Sequence, residues 1–133
     1  VVMIPSFELN TKEARAALPA FVSHADASYN VAHASYVAVA MMKGDYDELR
    51  HAMKDKLHQP YRAELIPGFD AIMQKCDELE VPAYLSGAGP TVMAVLQPET
   101  ADQFIADICK TAGAGWDIRR LAADNQGAKI AKI

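Results

Sequence analysis

The residues whose types and spacing could do chemistry begin with the hexapeptide SGAGPT, formed by Ser86, Gly87, Ala88, Gly89, Pro90 and Thr91. Glycine at 87 and 89 lets backbone approach another loop or a phosphate closely, and Pro90 stiffens the turn. Two well-known phosphate motifs do not fit. A Walker loop needs Gly-Lys ahead of Ser or Thr, whereas Gly89 is followed by Pro90. A dinucleotide fingerprint needs a third glycine where Val92 stands, and a helix rather than a strand afterwards. On composition alone the segment reads as a hairpin turn ahead of a ligand site.

Arg15 and Arg62 come next. A guanidinium is a planar fork that pairs bidentately with a carboxylate, so two arginines converging from separate segments suit a small anionic substrate. The alternative for each is an ordinary solvated charge. Arg62 stands apart because it lies in HQPYR, between helix breakers, and non-helical polar positions more often carry function. His51 and His58 are seven residues apart with no carboxylate or cysteine completing a zinc-like set, so no metal ligand is assigned. Ser23, His24 and Asp26 hold the residue types of a hydrolase triad, but their closeness reads more simply as the polar start of a helix. Met41, Met42, Met53 and Met73 read as core filling.

The elements that must position these residues can be followed along the chain. VVMI is a β-branched strand that stops at Pro5. Thr11 can cap a short helix through TKEARAAL, with Glu13 near its positive end and Pro19 stopping it. An alanine-rich helix is predicted from about Asp26 to Met42, ended by Gly44. Asp45 and Glu48 have capping-box spacing ahead of an apolar stripe, Leu49, Ala52, Met53 and Leu57, which HQP breaks. After Pro67 and Gly68, a further helix carries Phe69, Ile72, Met73, Cys76 and Leu79 on one face. The period then changes: PAYLS and TVMAVL read as strands joined through the glycine segment. Phe104, Ile105, Ile108 and Cys109 mark a helix ended by GAG, and Trp116 to Ala122 reads as a last strand. Strand, several helices, strand, strand, helix, strand is the order of an elaborated split βαβ unit. The expected class is therefore α+β, ferredoxin-like with extra helices, on an antiparallel sheet of about four strands.

Composition sets the bounds. The chain of 133 residues suits one domain, spanning 1–133, with a sizeable core. Hydrophobic residues make up 51% and no long apolar run occurs, which argues against a membrane or disordered chain. A formal charge of −4 with scattered basic residues argues against a nucleic-acid partner. Cys76 and Cys109 lie far apart, each on the apolar side of a helical pattern, so a disulfide framework is not expected and a cytoplasmic setting suits them. Val1, where an initiator methionine would stand, points to a piece of a longer chain.

Three segments in order carry a resemblance: IPSFELNTKEARAALP, then GDYDELRHAMKDKLHQPYRAELIPGF, then SGAGPT at a strand junction. Together they resemble the carboxy-terminal half of the bacterial homoserine kinases, a branch of the GHMP small-molecule kinases, over nearly the whole chain. The glycine hexapeptide alone marks the superfamily, while TKEAR and HQPYR in this order point to the branch. The resemblance implies ATP-dependent phosphorylation of the L-homoserine hydroxyl with Mg²⁺, in threonine biosynthesis. It implies substrate-binding roles for Thr11, Arg15 and Arg62. It also implies that Ser86, Gly87, Ala88, Gly89 and Thr91 support the nucleotide phosphate loop, and it allows a homodimer. The family's ATP-binding pattern PxxxGLGSSAA does not occur in this sequence. The resemblance therefore implies that the amino-terminal ATP-binding domain is absent from this chain, that no catalytic residue lies within it, and that it is inactive by itself. Two other readings stay open: a stand-alone ferredoxin-like small-molecule-binding or regulatory module, and a GHMP kinase acting on a different alcohol.

Overall fold

The computed structural model describes residues 1–128. Its first strand, β1 (Val2–Pro5), leads into a short helix α1 (Thr11–Ala16), a long helix α2 (His24–Lys43) and two short helices, α3 (Tyr46–Ala52) and α4 (Gln59–Ala63). Helix α5 (Phe69–Glu78) then precedes strands β2 (Ala83–Leu85) and β3 (Val92–Ala94), and helix α6 (Ala101–Ala112) leads to strand β4 (Trp116–Arg119). The sheet order is β2-β3-β1-β4 and every neighbouring pair is antiparallel. β3 thus lies between β1 and β2, and β1 lies between β3 and β4, so two β-helix-β crossovers interleave in the expected split βαβ unit.

Strand alternation decides where the core sits. Met3 faces Val92 and Ile118 across the sheet, while Leu85 pairs with Val92 and Ala83 with Ala94. These side chains share one face. Phe69, Ile72 and Cys76 of α5 and Phe104 and Ile108 of α6 cover that face, forming one cluster with Met3, Ile66 and Leu85. The two helices carry the apolar stripes their sequences predict, except that Cys109 of α6 is exposed rather than part of the stripe.

Helix ends follow local chemistry. Ser23 Oγ accepts the Asp26 N–H at 3.0 Å, so the Ser23–His24–Asp26 group is the polar start of α2. Gly44, at φ +66°, closes that helix, and Asp45 Oδ1 accepts the Glu48 N–H at 2.9 Å to open the next. Other expectations are corrected. Asn10, not Thr11, caps α1, its Oδ1 accepting the Lys12 N–H at 2.8 Å. The stripe after Asp45 ends at Ala52, short of Leu57, and HQPYR starts a further one-turn helix. The last strand stops at Arg119 rather than Ala122. Met41 and Met42 are not core filling: they lie on the exposed side of α2, Met42 with 88% of its surface open. Cys76 is buried, where desolvation pushes its thiol up to about 12, but Cys109 is exposed and the two are unpaired. No helix among the described residues is long and apolar enough to cross a membrane.

Candidate functional site

The glycine segment is the turn of the β2–β3 hairpin. The Ser86 N–H donates to Thr91 O at 2.8 Å and the Gly89 N–H to Ser86 O at 3.0 Å. Gly87 and Gly89 have φ of +58° and +88°, a region that side chains disfavour. They differ in surroundings. A Cβ at Gly87 would meet nothing within 4 Å, whereas one at Gly89 would lie 3.1 Å from Ile66 Cδ1 and 3.2 Å from Leu85 Cδ1.

Helix α4 holds this turn from the side. Pro60 is tolerated because the first helical turn has N–H groups without intrahelical partners, one of which proline simply lacks. Gln59 and Arg62, three residues apart, occupy one side of the turn, and both are buried, each 9% exposed. Gln59 Oε1 accepts the Leu85 N–H at 2.7 Å, and Gln59 Nε2 points to Met53 O at 3.5 Å. Arg62 Nη1 donates to Gly87 O at 2.9 Å, and Arg62 Nε donates to Ala14 O at 3.1 Å. One guanidinium therefore joins three segments that are far apart in sequence: α1, α4 and the glycine turn.

Asp55 orients α4. Its Oδ2 accepts the N–H groups of His58 at 2.7 Å and Gln59 at 2.6 Å, and its Oδ1 accepts Asn30 Nδ2 at 2.6 Å. Asn30 Oδ1 in turn accepts the Lys56 N–H at 2.9 Å, tying α2 to the same loop. Burial works to raise the Asp55 carboxyl, but the bonds from Gln59, His58 and Asn30 outweigh it and hold the group below its usual value. Burial pushes the His58 imidazole down; Asp55 opposes this and Arg62 adds to it. Arg62 Nη1 lies 3.3 Å from His58 Nδ1. A guanidinium can only donate, so Nδ1 is the acceptor and the ring proton sits on Nε2. The 3.9 Å approach of His58 Nε2 to Asp55 Oδ1 is thus not an ion pair at neutral pH.

Both depressed values favour the folded state at neutral pH. The unfolded imidazole binds protons more readily than folded His58, so stability falls as pH drops below about 6.5 toward the folded value. The unfolded carboxyl likewise binds protons more readily than folded Asp55, so a second loss is expected as pH falls below about 3.8. Urea midpoints measured against pH should show both losses, with His58→Gln flattening the first and Asp55→Asn the second.

Of the residues singled out from the sequence, Arg62, Ser86, Gly87, Ala88, Gly89 and Thr91 come together around the hairpin. Thr11 and Arg15 lie one helical turn apart on α1, both exposed, and α1 joins the group through the Ala14 carbonyl. Two of the three nitrogens of Arg62 have protein acceptors; Nη2 has none among the described residues. A cavity of about 480 Å³ opens beside the turn, lined by Ile4, Ser6, Phe7, Glu8, Pro90 and Thr91. A slightly larger one, about 540 Å³, lies elsewhere against Val1, Tyr46 and Leu121 and shares none of these residues. Among the described residues no group of three or more His, Cys, Asp or Glu is placed to hold a metal ion. Sequence reasoning missed Gln59, Asp55 and Asn30. The available signals were the three-residue spacing of Gln59 and Arg62, and an aspartate placed to accept from residues three and four ahead.

Comparison with known proteins gives the geometry a setting. The family model described as GHMP kinases C terminal matches residues 37–114. A homoserine kinase of Clostridium beijerinckii is 42% identical over 133 residues, covering 98% of this chain and 45% of that protein. One of Microchaete diplosiphon is 43% identical over 134 residues, covering 96% and 43%. The crystal structure of homoserine kinase from Cytophaga hutchinsonii superposes with a TM-score of 0.76 at 25% identity, over 83% of this chain and 36% of that one. The chain thus spans less than half the length of the curated relatives it matches. With the family model covering more than half of its residues and homoserine kinases matching almost all of them, the chain belongs to the GHMP kinase family and corresponds to its carboxy-terminal domain.

Proposed function

We propose that residues 1–133 are the carboxy-terminal domain of a homoserine kinase, a protein that transfers the γ-phosphoryl group of ATP to the side-chain hydroxyl of L-homoserine and yields O-phospho-L-homoserine for threonine biosynthesis. The observation that carries this reading is the Arg62 junction, in which one buried cation joins α1 to the glycine turn in a chain about 40% identical to named homoserine kinases. ATP would supply the phosphoryl group, and Mg²⁺ bound with it would neutralise charge on its oxygens.

The chain's own residues place the acceptor. Thr11 and Arg15 offer a hydroxyl and a cation on the open side of α1, and Arg62 Nη2 offers one charge-assisted donor for the amino-acid carboxylate. The glycine turn supports the phosphate-binding backbone. The phosphate cradle and the acidic Mg²⁺ ligand belong to an amino-terminal ATP-binding domain outside this chain, so residues 1–133 alone do not turn over. This follows because phosphoryl transfer depends chiefly on positioning and charge neutralisation. The setting proposed is cytoplasmic, in keeping with two unpaired cysteines.

A coupled assay of ADP release tests the reading on the longest natural protein containing this segment, with L-homoserine beside mevalonate, galactose and no acceptor. Release that depends on homoserine is expected, with none from residues 1–133 alone. Release driven by another alcohol would move the protein to a different branch of the family. No release with any acceptor would favour a binding module.

A further inference from the structure

β2 is the outer strand of the sheet, with β3 on one side and, among the described residues, no strand on the other. Ser86 N–H and Pro82 O are bonded toward β3, so the Leu85 N–H, one residue out of phase, points to the open edge. Gln59 meets it there at 2.7 Å and replaces the missing strand partner at the last residue before the glycine turn. Two residues further on, Gly87 O is held by Arg62 from the same helix. The turn therefore has two lateral anchors, and the Gln59 anchor is the nearer to the sheet.

We infer that Gln59 is a positioning residue: by accepting the Leu85 N–H at the open sheet edge, it sets how the glycine segment leaves β2, and through that segment it governs ATP affinity. The inference rests on the proposed role of the segment in supporting the nucleotide. Gln59 touches no reactant in it. An amide suits the task because it has an acceptor for Leu85 and a donor for Met53 O, so a buried polar side chain is satisfied at both ends.

The test uses the full-length natural protein with Gln59→Met, close in volume but without the acceptor, and Gln59→Glu, which keeps it. Gln59→Asn, too short to reach Leu85, replaces the first variant if that one does not fold. Two readouts are taken, amide hydrogen exchange at Ser86 and Gly89 and the ATP dissociation constant, with the homoserine KM measured alongside. Expected for Gln59→Met are about tenfold faster exchange at both amides and about tenfold weaker ATP binding, with the homoserine KM within about twofold of wild type. Gln59→Glu keeps the acceptor for Leu85 but loses the donor to Met53 O, so it should fall between wild type and Gln59→Met in both readouts. Unchanged exchange, equal losses for ATP and homoserine, or indistinguishable Met and Glu variants would each overturn the inference. Wild-type protein that binds ATP but does not phosphorylate homoserine would refute the proposed function and still leave Gln59 to be judged by exchange and ATP affinity. Wild-type protein that binds no ATP would overturn both.

Discussion

Arg62→Ala, made in the longest natural protein containing this segment, is expected to lower stability by about 2–4 kcal/mol and, on the proposed function, to reduce kcat/KM for homoserine by about a hundredfold or more. Two backbone carbonyls, Ala14 O and Gly87 O, lose charge-assisted donors at once, and the cavity left behind adds to the loss. The fall in activity has two sources: the donor at Nη2 disappears, and α1 is no longer tied to the glycine turn. Arg62→Lys separates them. An ammonium keeps the charge but cannot span acceptors on two different elements as a planar fork does. Lysine should therefore recover part of the homoserine affinity while leaving most of the stability loss. Urea denaturation read beside the homoserine KM decides this. Unchanged stability in Arg62→Ala would mean the two carbonyl bonds carry nothing, and an unchanged KM would remove Arg62 from the acceptor site.

Gly89→Ala should be the most damaging single-methyl change in the hairpin. The residue sits at φ +88°, which disfavours any Cβ by about 1–2 kcal/mol. The new methyl would also press on Ile66 and Leu85, both 2% exposed and packed in the core. Crowding of that kind costs about 1–3 kcal/mol, so a total of about 2–5 kcal/mol is expected. Gly87→Ala provides the comparison: it meets the same backbone penalty at φ +58° but open space, and should cost only that penalty, about 1–2 kcal/mol. Equal melting temperatures for the two variants would rule out the packing contribution.

Much of this arrangement was legible in the sequence because the signals involved are local. The stripes Phe69, Ile72, Cys76 and Phe104, Ile108 are periodic over several turns, and they mark α5 and α6, which fill the core. Gly44 and Asp45 state their roles within four residues. Helix α4 left no such trace, since one turn containing a proline is too short for a period to appear. Its contacts were hidden as well: Arg62 reaches a carbonyl 48 positions earlier and Gln59 an amide 26 positions later. Its place between helix breakers singled out Arg62, whereas an amide in the same motif carried no charge to draw notice. On α2, apolar residues occur on all sides, so periodicity could not separate the covered Ala40 from the exposed Val31 and Met42.

The pairing of β1 with β4 has a consequence for how such a unit can be joined to other sequence. Val2 opens the first strand and stands directly across from Arg119, which closes the last, at the ordinary strand spacing of about 4.8 Å. The polypeptide thus enters and leaves the sheet at neighbouring points on the same border. A host chain can carry this fold as a side loop with a single seam, since its own backbone is interrupted by only one strand spacing and nothing has to be threaded.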